Sequence, residues 1–201
     1  MIYTQIRSGH MVDLLHPRVA DINFVEIADA LAKLNRYAGN STSPISVAQH
    51  TLIACDAATT PMKPYVLLHD AHEAFIGDIT RPAWAAIEWE FEKDYEDATP
   101  LRLALGRVKD RLDRAIHAKA GLAEPTPATM IAIAQADLTA LVTERRDFLC
   151  HSDMPWAAEV EAASPLAKVY RPMEWTDAAD ALAERFRQFL PCFQTVPHPD
   201  R

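Results

Sequence analysis

Between Pro64 and Ile76 the chain reads PYVLLHDAHEAFI, apolar on almost every side yet carrying His69, Asp70, His72 and Glu73. A helix that is apolar nearly all round belongs in a protein interior, so its ionisable groups must meet partners there. At about 100° per residue, Asp70 lies roughly 100° and Glu73 roughly 40° from His69, which puts the three in one sector. Leu67, Leu68, Ala71, Ala74 and Phe75 fill the opposite side. The pattern predicts one buried helix with a polar notch, and other segments must supply what the notch faces.

Two segments offer partners. Ser46 and Gln49 make a capping-box pattern, which sets His50 at the end of a helix's first turn, in line with Val47, Ile53, Ala54 and Ala57. A second long helix starts at Thr126-Pro127 and carries Asp137 in a stripe with Met130, Ile133, Ala134, Leu141 and Phe148. A carboxylate on a core-facing stripe is costly unless it is paired or binds a cation. His50, His69, Asp70 and Asp137 together form a donor set suited to a transition metal. Each alone is ordinary, since an inward histidine is more often a satisfied core residue; their conjunction carries the weight. Asp78, after Gly77 at the helix end, reads on its own as a turn or capping residue. His72 lies about 160° from Asp70 and can only rim the pocket. His117, on a charged helix, is expected at the surface.

The remaining pattern completes an all-α reading. "YTQIRSGHMVDLL" holds two short runs about Ser8-Gly9 that suit a small hairpin, and Asn23 to Tyr37 has helical spacing. A charged helical stretch runs from Trp84 to Ala120 with a break at Asp97 to Pro100; its "EWEFEKDYED" is a solvated face. "TDAADALAERFRQFL" is an amphipathic helix capped by Thr176 or Asp177. No linker or repeat divides the chain, so a single domain over 1–201 is expected. A formal charge of −8 disfavours a nucleic-acid polymer as partner. No run approaches the roughly eighteen apolar residues of a membrane span, and the first residues lack a secretory pattern, so a cytoplasmic protein is expected. Cys55, Cys150 and Cys192 form no CxxC pair and are expected to be small buried residues.

The order His50, His69-Asp70, Asp137 resembles the HD-domain metal-dependent phosphohydrolases, which carry a His on one helix, a His-Asp pair on the next and a distant Asp. Within them the chain is most similar to bacterial 5′-deoxynucleotidases and their phage and prophage relatives, through "SVAQH", "LLHDAHEAFIGDITRP" and "ADLTALVTERRDFL". The likeness extends from "TQIRSGHMVDLL" through "LNRYAG" to "ADALAERFRQFL" and weakens between about Ile87 and Gly106.

The resemblance implies an HD helical bundle holding one divalent transition metal, Mn²⁺, Co²⁺, Zn²⁺ or Fe²⁺, on those four residues, with additional Mg²⁺ if the substrate is a polyphosphate. It implies catalytic roles for Glu73 and Asp78. It also implies that Arg36 and Tyr37 grip phosphate and nucleoside, although an arginine near a helix C-terminus is explained equally by the helix dipole. Arg81 could neutralise phosphate charge or be a plain surface cation, and Glu144 could lock an arginine structurally. The expected function is a 5′-nucleotidase releasing phosphate from 2′-deoxynucleoside 5′-monophosphates. The alternatives are a deoxynucleoside triphosphate triphosphohydrolase and a non-enzymatic helical module stabilised by metal. The expected partner is a small nucleotide, with a homo-oligomer left open.

Overall fold

The computed structural model describes residues 2–194. Residue 1 and residues 195–201, the ends of the expected domain, lie outside the described residues. The fold is all-α with a small antiparallel hairpin, β1 (Tyr3–Gln5) against β2 (Met11–Asp13), paired Tyr3 with Asp13. Gly9, at φ 86°, makes the turn between them.

Local signals start the main helices. The Asn23 side chain accepts from the backbone N–H groups of Val25 and Glu26 and opens α1 (Phe24–Lys33). Ser46 accepts from Gln49 N–H and opens α2 (Val47–Ala57). Two short helices follow, α3 (Lys63–Val66) and α4 (Glu73–Ile76); then come α5 (Arg81–Phe91) and α6 (Thr99–Ala120). Thr126 caps α7 (Pro127–Phe148), and α8 (Ala158–Ala162) and α9 (Trp175–Phe189) complete the fold. α1 packs on α9 and α2, and α2 also packs on α7. Ile27, Leu31, Leu67, Leu68, Leu112, Ile116, Leu182 and Phe186 lie in the main core, and Ile53, Val66, Ala140 and Phe148 in a second cluster between α2 and α7. Burial of each large side chain contributes about 1.5–3 kcal/mol.

Several sequence expectations are corrected. Pro64 to Ile76 is not one helix: between α3 and α4 the backbone winds through short-range bonds such as Ala71 N–H to Leu68 O and Glu73 N–H to Asp70 O. Such turns are wound more tightly than an α-helix. The first helix stops at Lys33 rather than reaching Tyr37, because the next peptide groups bond across the chain: Arg36 N–H to Ile45 O and Val47 N–H to Leu34 O. Met130 is 61% exposed, not core-facing. His117 is buried, its Nδ1 donating to Asp113 O at 2.8 Å. The N-cap of α9 is Glu174, two residues ahead of Thr176 and three ahead of Asp177. Of the cysteines only Cys55 is buried; Cys150 and Cys192 are exposed. The acidic stretch is largely exposed as expected, but the break lies at residues 92–98, ahead of the expected Asp97 to Pro100, and Pro100 is already inside α6.

Gln49 does not close a capping box. Its amide instead donates to Arg171 O at 2.6 Å and accepts from Met173 N–H at 3.2 Å, clamping the strand-like approach to α9 onto α2. Gln49→Ala is expected to lower unfolding free energy by about 2 kcal/mol, because the two hydrogen bonds of the buried Gln49 amide to this segment are lost. Urea denaturation measures it; an unchanged midpoint would show that the approach is held elsewhere.

Candidate metal centre

The centre is assembled from three places in the fold. His50 projects from the first turn of α2 and is completely buried. His69 and Asp70 come from the turn between α3 and α4, and Asp137 from the middle of α7. His50 Nε2 lies 3.1 Å from His69 Nε2, 3.2 Å from Asp137 Oδ1 and 3.4 Å from Asp70 Oδ2. His69 Nε2 lies 3.1 Å from Asp70 Oδ2 and 4.0 Å from Asp137 Oδ1. The donor atoms of His50, His69 and Asp137 all fall within 4.8 Å of one another, a group that could hold a metal ion.

Each imidazole is oriented by its other nitrogen. His69 Nδ1 lies 2.7 Å from Val66 O, which can only accept, so His69 donates there and turns a lone pair on Nε2 toward the cluster. His50 Nδ1 lies 2.5 Å from Glu144 Oε1, and donation to that carboxylate gives it the same tautomer. Two nitrogen lone pairs then converge with the Asp137 carboxylate, and Asp70 Oδ2 lies within 3.4 Å of both imidazole nitrogens, an arrangement that repels itself unless a cation or protons sit between them. Nitrogen donors about 2.1 Å from one metal lie about 3.0–3.4 Å apart, the range seen between the imidazoles. The His50, His69 and Asp137 donors could therefore hold a metal ion.

The electrostatics agree. Burial and Arg36 disfavour charge on His50, yet Glu144 and Asp137 outweigh them and, with no cation present, raise its pKa to about 10. Burial pushes the Asp137 carboxyl up, but His50 and His69 hold it down at about 2. The site thus attracts positive charge whether it comes as protons or as metal. Glu73 behaves oppositely: burial, then Asp70 and Asp78, raise its pKa to about 8. Among the described residues its Oε2 is buried without a hydrogen-bond partner. Gly77, at φ 82°, ends α4 and returns the chain so that half-buried Asp78 shares the field of Asp70 and Arg36; burial raises its pKa as well.

The other expected contacts separate. Arg36 lies close enough to feel Asp70 and Asp78, and its Nε and Nη2 each approach Glu144 Oε2 at 3.4 Å. Tyr37 is tied to the same carboxylate through its hydroxyl, at 2.6 Å. Arg81 sits exposed at the first position of α5 and, among the described residues, forms no ion pair with the cluster. Asp137 has a 37% exposed side chain and, with His69, walls a cleft of about 620 Å³ between α6 and α7. Tyr65, Leu68, His117 and Ile133 also line that cleft. His72, expected at the rim, is buried and bonded to Asp113 at 3.0 Å.

No family model matches the chain. An uncharacterized protein of Rhodobacter capsulatus is 34% identical over 135 residues, covering 63% of this chain and 62% of that protein. The uncharacterized protein YfdR of Escherichia coli is 32% identical over 127 residues, covering 63% of this chain and 61% of that protein. The match thus spans about three fifths of the length of these curated relatives. No described helix is long and apolar enough to cross a membrane.

Sequence reasoning missed the bond between Glu144 and His50. The available signal was spacing, since Glu144 follows Asp137 by two helical turns on the same face of α7. It also missed the cleft that His117 helps to wall, because a charged helix read as solvated leaves no reason to bury an imidazole.

Proposed function

We propose that the chain is an HD-type metal-dependent phosphohydrolase that releases phosphate from 2′-deoxynucleoside 5′-monophosphates. The convergence of the His50 and His69 Nε2 lone pairs with the Asp70 and Asp137 carboxylates, beside an unpartnered, buried Glu73 carboxyl, is the observation that carries this reading. Those four residues would hold the cation, which supplies Lewis acidity toward a phosphoryl oxygen and acidifies water.

The chain's own groups account for the rest. Glu73, whose burial beside Asp70 and Asp78 favours the protonated carboxyl, can deliver a proton to the departing ester oxygen. Arg36 brings a fixed positive charge to the Asp70–Asp78 side, where it can orient the phosphoryl group as negative charge develops. Asp78 stands beside it to orient water or the ester oxygen. The cleft gives the organic part of the ester a place next to His69 and Asp137. Asp110, Asp113 and Glu124 line that cleft against Arg114, a balance that favours an uncharged nucleoside over further phosphates.

A panel assay of the purified protein with Mn²⁺, Co²⁺ or Zn²⁺ tests the reading. Inorganic phosphate is expected from deoxynucleoside monophosphates. Intact triphosphate released from deoxynucleoside triphosphates, with monophosphates inert, would replace it with the triphosphohydrolase alternative.

A further inference from the structure

A carboxylate with no exposed surface sits behind the candidate centre, and its two oxygens serve different neighbours. Glu144 Oε1 accepts from His50 Nδ1 at 2.5 Å, while Oε2 accepts from the Tyr37 hydroxyl at 2.6 Å and lies 3.4 Å from two nitrogens of Arg36. The turn holding Arg36 and Tyr37 is unusual in its own right. Tyr37 at φ 56° and Ala38 at φ 51° are consecutive non-glycine residues in the left-handed region. L-residues avoid that region, and two in succession persist only where their surroundings hold them there. Within this turn the Tyr37 hydroxyl anchors to Glu144, which lies on α7 and 107 residues further along the chain.

We propose that Glu144 is a positioning residue joining metal binding to phosphate binding: Oε1 keeps the His50 Nε2 lone pair turned to the cation, and Oε2 pins the strained turn that aims Arg36. The inference rests on the metal and phosphate reading above and adds the residue that couples its two halves. A carboxylate hydrogen-bonded to the far nitrogen of a ligating imidazole sets the tautomer and raises ligand basicity, and loss of such a partner weakens metal binding about 10–100-fold. Placing both oxygens on one rigid helix means that the cation and the guanidinium are fixed relative to each other, not separately.

Three measurements test it. In the zinc-loaded wild type, imidazole ¹⁵N shifts should show His50 protonated at Nδ1; a metal-bound Nδ1 would overturn the proposal without any variant having to fold. Metal affinity, read by chelator competition, should fall about tenfold in Glu144→Gln and about a hundredfold in Glu144→Ala, and the absorption spectrum of the cobalt-substituted Gln variant should shift. Tyr37→Phe leaves Oε1 untouched, so its metal affinity should hold while binding of inorganic phosphate to the metal-loaded protein weakens about five- to tenfold, the scale of one lost hydrogen bond. Wild-type metal affinity and cobalt spectrum in Glu144→Gln would overturn the metal half, and unchanged phosphate binding in Tyr37→Phe the coupling. A wild type that takes up no metal would instead defeat the underlying reading, an outcome distinct from either.

Discussion

Asp137→Ala and His69→Ala proteins will retain less than about a tenth of the wild-type metal, and their melting temperatures will stop responding to added metal. The expectation follows from the donor geometry. His50 Nε2 lies within 3.4 Å of donor atoms from His69, Asp70 and Asp137, so removing one partner leaves a cation without a closed set. Metal held at about a hundredfold excess over its Kd stabilises a fold by about 2.7 kcal/mol. For a chain of this size that corresponds to about 5–10 °C of melting temperature, which the variants should lose. Elemental analysis and thermal scans with and without metal measure both effects together. Full metal content in Asp137→Ala would remove that residue from the ligand set.

Glu73→Gln separates holding the metal from using it. Glu73 is buried, its Oε2 has no hydrogen-bond partner among the described residues, and burial beside Asp70 and Asp78 favours the protonated carboxyl, whose shape and charge Gln copies. Metal content and melting temperature should therefore match the wild type. What Gln cannot do is give up a proton, so phosphate release should fall by about a hundredfold or more, the scale for a positioned acid or base. A folded, metal-loaded Glu73→Gln enzyme with wild-type turnover would take Glu73 out of the mechanism. A helical module that kept metal only for stability would show no hydrolysis in either protein.

How far the sequence reached depends on the range of the interaction concerned. Ser46 was legible as a helix cap and Thr126-Pro127 as a helix start because each side chain bonds a backbone N–H three residues away. The all-α class followed from the same short-range periodicity. The four candidate ligands stood out because ionisable groups in apolar segments need partners wherever the chain goes. Short range also explains the failures. Pro64 to Ile76 reads as one helix residue by residue, but its middle tightens into turns. Gln49 looked like half of a capping box until a backbone segment 122 residues away claimed its amide. Residue types, their helical spacing and the need of inward-facing ionisable groups for partners were thus determined by the sequence alone. Which carboxylate orients His50, why His117 is buried and how Tyr37 is held in a left-handed turn were decided only when packing brought distant segments together, since a buried polar group takes its partner from whatever the fold places within about 3 Å of it.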